Sequence, residues 1–317
     1  MKILITGGLG FIGSHLSNRL SIEGHKISII DSSSVDSNII LHKEKFEIIN
    51  GDIRDAQLIH DLISSSDVVF HLAAVLGVDK ILHNVEDAIL TNVIGSHNVL
   101  KSCNLLGKRV FLASTSEIYG KNPIQPLNED SDRLIGAPQN IRWNYSDAKA
   151  LDESLAFSMN YSNNLPVTIL RFFNTVGPGQ SGKYGMVLPR FIKSAIDNLP
   201  LNIFGDGSQT RVFCHVQDVV EGLILLLNNK KSIGQVFNIG GNEEISINSL
   251  AHKVIEMCDS KSLIKYVPYQ EAYPRGFEDM ARRVPDVSKM HAYTGWNSKF
   301  GIEKIISDTR DYFLNLK

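Results

Sequence analysis

The 317-residue sequence has few cysteines, no long apolar run and no excess of charge of one sign. Its three cysteines, Cys103, Cys214 and Cys258, are odd in number and far apart, so they indicate neither a disulfide framework nor a zinc site. The formal net charge of -2 argues against nucleic acid or an anionic membrane as the main partner. A strand-like run begins at Met1 and leaves no room for a signal peptide, and no run is long enough to span a membrane. We therefore expect a cytoplasmic protein without a bound metal.

Short apolar runs alternate with helix-like segments through the first half of the chain, and this alternation predicts a parallel sheet covered by helices. The expected fold is α/β, with a Rossmann-type doubly wound parallel sheet and a smaller C-terminal lobe. Such sheets bind ligands outside the carboxyl ends of their strands. The residues that follow five predicted strands, and so meet at this edge, are Gly7, Asp31, Asp52, Ala73 and Ser114.

A glycine-rich turn follows the first predicted strand, Lys2 to Thr6, and precedes an apparent helix. Gly7, Gly10 and Gly13 permit a tight turn, close backbone approach to a diphosphate, and close packing of the helix on the strand. Free N–H groups at the helix start favour a bound anion. Because the glycines lie between a strand and a helix, they predict a dinucleotide-binding turn.

Asp31 ends the second predicted strand 18 residues beyond Gly13, close to the offset of about 20 residues at which a carboxylate binds the ribose 2′-hydroxyl of NAD. The next residues, Ser32, Ser33 and Ser34, supply no cation for the 2′-phosphate of NADP. The sequence therefore favours NAD as the cofactor. The alternative is that Asp31 is an ordinary turn residue at a strand end.

Tyr145 and Lys149 are four residues apart in a helix-like segment, which places both side chains on one helical face. A phenol with a pKa of about 10 is a poor base at neutral pH, but a nearby ammonium lowers that pKa. The pair is therefore a candidate proton-transfer device. The same spacing is also typical of a solvated helix face.

Taken together, the motifs of this chain resemble the NAD-dependent epimerase/dehydratase family of nucleotide sugars, in the extended short-chain dehydrogenase/reductase superfamily. The resemblance covers almost the whole chain. It rests on Gly7-x-x-Gly10-x-x-Gly13, Asp31, Gly51-Asp52-Ile53, His71-Leu72-Ala73-Ala74, Thr91-Asn92-Val93, Ser114-Thr115-Ser116-Glu117-Ile118-Tyr119-Gly120, Tyr145-x-x-x-Lys149, Arg171-Phe172-Phe173-Asn174, the run from Gly205 to Arg211, the run from Val236 to Gly240, and Arg282-Arg283-Val284-Pro285-Asp286.

The resemblance implies a role for each residue of the candidate site. Tyr145 takes the proton of the sugar 4-hydroxyl, Lys149 holds the nicotinamide ribose and lowers the tyrosine pKa, and Thr115 binds the same sugar oxygen. The implied cofactor-binding residues are Gly7, Gly10, Phe11, Ile12, Gly13, Asp31, Asp52, Ile53, Leu72, Ala73, Ala74, Asn92, Tyr145, Lys149 and Phe172. The implied substrate-binding residues are Asn174, Val187, Phe204, Arg211 and Arg283.

Some of these assignments have plainer alternatives. Phe204 is also consistent with an ordinary core aromatic, and Arg283 with a solvated charge beside Arg282.

The resemblance also implies an organisation for the chain. Residues 1–173, with about 211–241, are expected to form the NAD-binding domain. Residues 174–210 and 242–317 are expected to form the nucleotide-sugar-binding lobe. Helices from about Val85 to Leu106 and from Asn144 to Tyr161 match those that pair in this family, so we expect a homodimer.

Glu117 is the main departure from the pattern of sugar 4-epimerases, which usually have a small or neutral residue there. A UDP-glucose-like 4-epimerase is the first expectation, since epimerisation is the commonest activity in the family. The alternative is a UDP-glucuronate decarboxylase or a nucleotide-sugar dehydratase that uses Glu117 as a base at C5. Against these, Ser116 replaces the Asp of glucose dehydratases, and no cation for a uronic carboxylate is evident. Glu117 could also cap a turn.

A different class of function is a regulatory protein that binds NAD and has lost catalysis. Intact Thr115, Tyr145 and Lys149 argue against it.

Overall fold

The structure, a computed structural model, describes residues 1–32, 39–40, 43–75, 84–182, 186–272 and 280–316. The interpretation of Ser33 and Ser34 lies outside these ranges. The strands are β1 (Lys2–Thr6), β2 (Lys26–Asp31), β3 (Glu47–Asn50), β4 (Val68–His71), β5 (Arg109–Thr115), β6 (Val167–Phe172), β7 (Thr175–Val176), β8 (Leu201–Phe204), β9 (Thr210–Val212), β10 (Cys214–His215), β11 (Gln235–Ile239), β12 (Glu244–Ser246), β13 (Ile264–Val267) and β14 (Arg282–Arg283). The helices are α1 (Phe11–Ile22), α2 (Ala56–Ser64), α3 (Val85–Leu106), α4 (Asn144–Asn163), α5 (Val187–Ile196), α6 (Val216–Leu227), α7 (Ile247–Met257), α8 (Tyr269–Ala272), α9 (Ser288–Thr294) and α10 (Ile302–Leu314).

Within the described ranges, seven parallel strands form the central sheet in the order β11-β6-β5-β4-β1-β2-β3. The strand order runs outward in opposite directions from β1 and β4. This is the switch point at which doubly wound sheets bind their ligands. The prediction of a Rossmann-type doubly wound parallel sheet is confirmed.

Alternate residues of β1 face two different cores, as expected for a strand buried on both sides. Ile3 and Ile5 pack with α1 and α6, whereas Leu4 packs with α2, α3 and α4. The helices thus cover both faces of the sheet and leave its carboxyl edge for the site. Among the described residues, no helix combines the length and the apolar character needed to cross a membrane.

β5 is longer than the predicted strand, which ended at Ala113. Ser114 and Thr115 continue the ladder because they pair with Arg171 and Phe172 of β6. This extension carries Thr115 to the edge of the sheet where the candidate site lies.

The segment 121–142 contains three prolines and mixed polar residues, a composition that predicts a surface loop, but it is partly internal. Leu127 and Glu129 are buried. The N–H of Leu127 donates to the carbonyl of Val284 (2.8 Å), and its carbonyl accepts from the N–H of Asp286 (2.7 Å). These bonds tie the segment to the C-terminal part of the chain, which explains why it lies inside.

The later part of the chain has its own core, in which α5, α7 and α10 pack together around residues such as Phe191, Leu250 and Ile305. A small sheet beside it joins β9 to β12 antiparallel and to β14 parallel. β11 belongs to the central sheet. The bounds predicted for the two domains stay a prediction.

Candidate functional site

The turn between β1 and α1 has the shape that a diphosphate needs. Gly7 has φ +70°, and a Cβ there would lie 2.7 Å from the backbone nitrogen of Ala73. A Cβ on Gly13 would collide with the carbonyl oxygen of Gly7, so α1 can pack on the turn only with glycine at this position. Gly10 makes no side-chain cap, which leaves an uncapped helix start suited to an anion. The N–H groups at this start belong to Phe11, Ile12 and Gly13.

Asp31 lies against this turn at the carboxyl end of β2. Its Oδ2 accepts a hydrogen bond from the N–H of Leu9 at 3.1 Å. A carboxylate beside a glycine turn and an uncapped helix start forms a set of groups that fits the adenosine half of NAD. The residues present therefore fit the predicted cofactor.

Asp52 and Ile53 have partners within the protein. Oδ2 of Asp52 lies 2.5 Å from Nη2 of Arg54, which also binds Asp87, and this guanidinium lowers the pKa of Asp52. Ile53 is buried, and its side chain fills the space in front of Gly95. Contact of Asp52 and Ile53 with adenine stays a prediction.

Leu72, Ala73 and Ala74 follow β4 and are half-buried at the edge of the sheet. The N–H of Ala73 donates to Oγ1 of Thr6 at 3.2 Å, which fixes the backbone where β1 and β4 end. Phe172 ends β6 and packs against the core of α1 and α6. These residues reach the predicted edge, and their contact with the cofactor stays a prediction.

Asn92 is buried and shapes the segment after β4. Its amide accepts from the N–H of Val75 at 2.8 Å and donates to the carbonyl of Val75 at 3.0 Å. A cavity of about 10 Å³ between α3 and α4 is lined by Asn92 and Tyr145, among other residues. The structure thus brings Asn92 close to the candidate catalytic tyrosine.

Tyr145 and Lys149 lie one helical turn apart near the start of α4, as predicted. Lys149 is 1% exposed, and its Nζ lies 3.1 Å from Oδ2 of Asp152. A buried ammonium needs such a partner, since an unpaired buried charge is strongly destabilising.

Burial raises the pKa of Tyr145, and the charges of Glu117 and Asp152 raise it further. The resemblance implied a lowering by Lys149. The direction differs mainly because burial disfavours the charged phenolate, and the two carboxylates add to this effect.

Thr115 caps the 3-10 turn Ser116–Tyr119 that follows β5. Its Oγ1 accepts from the N–H of Glu117 at 3.2 Å, so its own hydroxyl hydrogen is left to bind a sugar oxygen. The hydroxyl of Ser146 donates to the carbonyl of Glu117 at 2.9 Å and ties this turn to α4. The cap of this turn is therefore Thr115, and the alternative of Glu117 as a turn cap is wrong.

Glu117 lies between two arginines from distant parts of the chain. Its Oε2 lies 2.5 Å from Nη1 of Arg142, and its Oε1 accepts a hydrogen bond from Nη1 of Arg283. The exposed fractions of the three side chains are 16% for Glu117, 13% for Arg142 and 9% for Arg283. Burial alone would raise the pKa of Glu117, but the two guanidinium charges outweigh it and hold that pKa well below its usual range. We call these three residues the Glu117 cluster.

Arg283 is buried, so its interpretation as a solvated charge is wrong. Pairing of β14 with β9 places it opposite Arg211. Its Nη2 donates to Oδ1 of Asn174 at 2.8 Å, and Nδ2 of Asn174 donates to the carbonyl of Val212 at 2.8 Å. The structure therefore brings together three residues predicted to bind the substrate.

Val187 and Phe204 belong to other elements of the C-terminal part. Val187 begins α5, and Phe204 ends β8 with the guanidinium of Arg190 4.3 Å from its ring centroid. Their part in substrate binding stays a prediction. An open cleft of about 430 Å³ nearby is lined by Gly205, Asp206, Tyr266 and Pro268.

Arg142 and Asp152 were not identified from the sequence. Arg142 precedes Tyr145 by three residues and Asp152 follows Lys149 by three, so proximity to the Tyr-Lys pair was the available signal. Among the described residues, no three histidine, cysteine or carboxylate side chains are grouped to hold a metal ion.

Comparison with known proteins agrees with this geometry. Residues 3–240 match the NAD dependent epimerase/dehydratase family. The chain is 39% identical to a UDP-N-acetyl-alpha-D-glucosaminuronate decarboxylase of Bacillus cytotoxicus (100% of this chain, 98% of the relative). It is 33% identical to UDP-glucuronic acid decarboxylase 1 of Danio rerio (98% and 72%).

A similar solved structure is the UDP-glucuronic acid 4-epimerase of Bacillus cereus in complex with UDP-glucuronic acid and NAD. Its TM-score is 0.87 at 27% identity, and the match covers 100% of both chains. The chain described here belongs to the NAD dependent epimerase/dehydratase family and is an NAD-dependent enzyme.

Proposed function

We propose that this enzyme is a decarboxylase of UDP-uronic acids, with UDP-N-acetylglucosaminuronate or UDP-glucuronate as substrate. Both sequence relatives named above are decarboxylases of this kind. They favour the decarboxylase alternative over the expectation of a UDP-glucose-like 4-epimerase. The observation that carries the proposal is the Glu117 cluster.

The Glu117 cluster has one positive charge in excess, because two guanidinium groups surround one carboxylate. Buried charge is costly unless it is paired, so the cluster favours one further anion. Nε of Arg283 is a buried donor without a hydrogen-bond partner in the described part of the chain. The C6 carboxylate of a uronate would supply the missing charge, whereas a neutral hexose would not. Arg142 and Arg283 would thus be the cations for the uronic carboxylate, which the sequence alone did not reveal.

Oxidation at C4 comes first. When bound, NAD would supply the acceptor of the C4 hydride, the later donor of that hydride, and a positive charge on its oxidised ring that favours the phenolate form of Tyr145. Tyr145 takes the proton of the 4-hydroxyl, and Thr115 hydrogen-bonds the same oxygen. Lys149 would hold the nicotinamide ribose.

The C4 ketone makes the C6 carboxylate a β-keto acid. The C5–C6 bond breaks, its electron pair moves into the C4 oxygen as an enolate, and carbon dioxide leaves. Tyr145 and Thr115 can donate hydrogen bonds to that oxygen, where negative charge develops. C5 then takes a proton from water, which leaves hydroxide. The hydride would return to C4 as Tyr145 returns its proton to the C4 oxygen, and the 4-hydroxyl is restored.

Glu117 has no proton to remove in this sequence of steps. Its lowered pKa makes it a weak base, which argues against its predicted role as a base at C5. Its place between two arginines suits a different task, since it keeps their charges from holding the substrate carboxylate too tightly to leave. The buried Ser116 provides no acid for the departing hydroxyl of a dehydratase reaction.

Product analysis tests the proposal. The purified protein is incubated with NAD and either UDP-glucuronate, UDP-N-acetylglucosaminuronate or UDP-glucose, and products are identified by mass and NMR. We expect loss of carbon dioxide from a uronate and unchanged UDP-glucose. A 4-epimer of unchanged mass would identify an epimerase instead, and loss of water a dehydratase.

The resemblance implies that Asn174 and Arg211 hold the substrate diphosphate, and in this proposal they do so, with bidentate contacts from the guanidinium group of Arg211. Arg283, which lies beside both, would bind the C6 carboxylate instead. Phe204 would lie near the nucleobase, and Val187 would contact the substrate elsewhere.

We also propose a homodimer formed through α3 and α4. Leu90 and Ile94 of α3 and Leu151 of α4 are exposed apolar side chains, and two of them are one turn apart on the same helix. A two-fold axis would bury the same patch on each subunit. Light scattering should give the dimer mass for the unmodified protein and a shift toward monomer for Leu151→Asp.

A further inference from the structure

α4 carries a buried carboxylate that the proposed reaction does not use. Asp152 is 0% exposed and lies one turn beyond Lys149, with Oδ2 3.1 Å from the lysine Nζ. Burying an ion pair so completely costs solvation of both charges, and further hydrogen bonds have to offset that cost. Oδ2 of Asp152 has such a bond, whereas its Oδ1 has no hydrogen-bond partner in the described part of the chain.

A chain of hydrogen bonds runs from Asp152 through the interior to the NAD-binding edge of the sheet. Oδ2 of Asp152 accepts from the hydroxyl of Ser96 at 2.8 Å, and Oγ of Ser96 lies 3.0 Å from Nε2 of His71. Nδ1 of His71 lies 2.7 Å from Oγ1 of Thr6, which accepts from the N–H of Ala73 at 3.2 Å. Asp152, Ser96, His71 and Thr6 are all completely buried.

With Asp152 ionised, the donor and acceptor roles along this chain are fixed. A carboxylate only accepts, so Ser96 donates to it and accepts from Nε2–H of His71. Nδ1 of His71 then carries no hydrogen and accepts from the hydroxyl of Thr6. This arrangement needs a neutral imidazole, and burial together with the charge of Lys149 lowers the pKa of His71 to about 3.

We infer that Asp152 is a positioning residue for Lys149. It fixes the ammonium by an ion pair and links it, through Ser96, His71 and Thr6, to the backbone at Ala73. The lysine and the edge that receives NAD are thereby held in one hydrogen-bonded unit. The inference rests on the proposed function only in taking Lys149 as the residue that holds the nicotinamide ribose.

A double-mutant cycle on NAD binding tests this inference without any catalytic readout. Asp152→Asn keeps the shape and removes the charge, and we expect it to weaken NAD binding about tenfold, which corresponds to about 1.4 kcal/mol. In a Lys149→Met background the same substitution should have almost no further effect, because Asp152 acts through Lys149. Equal losses in both backgrounds, or no loss in either, would overturn the inference.

The pH dependence of NAD affinity provides a second readout. The charged and titratable groups around the pair are Tyr145 and Glu153 of α4 and His71 of β4, with Glu117 acting on Tyr145 from the turn after β5. Burial raises the pKa of Asp152, so on acidification this carboxylate takes up a proton at a higher pH than an ordinary aspartate does, and the ion pair with Lys149 is then lost.

The affinity of the unmodified protein for NAD should therefore fall as pH decreases below neutrality. That of Asp152→Asn should change less, and the difference should vanish in the Lys149→Met background. A pH-independent loss would assign Asp152 a merely structural role and overturn the inference.

Asp147→Asn is the matched control, because it makes the same change in an exposed carboxylate of the same helix that pairs with Arg133. It should leave NAD binding unchanged. If the unpaired ammonium prevents Asp152→Asn from folding, the Lys149→Met/Asp152→Asn variant contains no such charge. That variant should bind NAD as Lys149→Met does, and weaker binding would contradict the inference. NAD binding that behaves as expected while no uronate loses carbon dioxide would refute the proposed function alone.

Discussion

Two carboxylates, the partly buried Glu117 and the completely buried Asp152, act on Tyr145 from opposite surroundings. Glu117 faces two guanidinium groups, whose charges outweigh the effect of burial and hold its pKa well below the usual range. Asp152 faces one ammonium and a chain of neutral groups, and burial raises its pKa despite the attraction of Lys149 and the hydrogen bond from Ser96. One carboxylate is thus outnumbered by cations, whereas the other is balanced.

This difference implies two separate roles: the Glu117 cluster recognises the substrate, whereas the Asp152–Lys149 pair supports the site. An excess positive charge beside the reacting residue favours an anionic ligand, so the Glu117 cluster suits a substrate that brings a carboxylate. The Asp152–Lys149 pair is balanced in charge, and Oδ2 of Asp152 also accepts from Ser96, so the pair has no excess charge for a ligand and holds its members in place.

The largest expected effect is on stability, at Glu117. Glu117→Gln removes the carboxylate that pairs with the buried guanidinium of Arg283 and the partly buried one of Arg142, which should lower the free energy of unfolding by about 3 kcal/mol at neutral pH. The pKa of Glu117 is lower in the folded than in the unfolded chain, so its contribution is complete above about pH 4.3 and is lost as pH falls below that value.

Chemical denaturation of both proteins over a pH series measures this effect. The gap between the unmodified protein and Glu117→Gln should be constant near neutrality and close on acidification. A gap that is independent of pH would mean that the ionic character of Glu117 does not matter.

Tyr145→Phe is expected to have the next largest effect. It removes the phenolic oxygen on which both carboxylates act, and loss of a general base lowers the rate of proton transfer by at least about 100-fold. Formation of NADH after addition of the uronate should slow by that factor in a stopped-flow experiment. Binding of the UDP-uronate, measured by calorimetry, should persist, and a normal rate of NADH formation would remove Tyr145 from the reaction.

Arg142→Gln tests the charge excess itself. Without Arg142, Glu117 neutralises Arg283 and the cluster no longer attracts a second anion. The KM for the uronate should rise about tenfold, as expected for a lost hydrogen bond to a charged group. Arg282→Gln is the matched control, since Arg282 is half exposed and pairs with Glu244. Equal effects of the two substitutions would contradict the proposed binding of the carboxylate.

The cofactor edge could be predicted from the sequence because its signals are local. The glycines of the first turn lie within seven residues of one another, and Tyr145 and Lys149 share one helical turn. Strand, turn and helix propensities also act between residues that are close in sequence, so the sequence pattern predicts the structure of this edge correctly. The Rossmann-type sheet follows from the same regular alternation.

The Glu117 cluster could not be predicted in the same way. Glu117 and Arg283 are 166 residues apart, and they meet because β14 pairs with β9, a short parallel pairing without periodic signature. Arg142 lies in a single 3-10 turn, which is too short to show a hydrophobic periodicity in the sequence. Asp152 has helical spacing to Lys149, but only tertiary burial distinguishes such a pair from one on a solvated face.

The smallest expected effects come from two matched serine substitutions, one on each side of the contrast. Ser146 and Ser96 are both completely buried. Ser146 holds the backbone of Glu117, whereas Ser96 holds the carboxylate of Asp152. A lost hydrogen bond is worth about 1 kcal/mol, or about fivefold in affinity.

Ser146→Ala should therefore raise the KM for the uronate a few-fold and leave NAD affinity unchanged, because it releases only the backbone of Glu117 in the Glu117 cluster. Ser96→Ala should weaken NAD binding by a similar factor and leave the uronate KM unchanged, because it removes only the hydrogen bond to Asp152 of the Asp152–Lys149 pair. Steady-state kinetics at saturating NAD and a separate NAD titration measure the two quantities. If both variants moved both quantities together, the two carboxylates would form one coupled network, and the separation of recognition from support would be wrong.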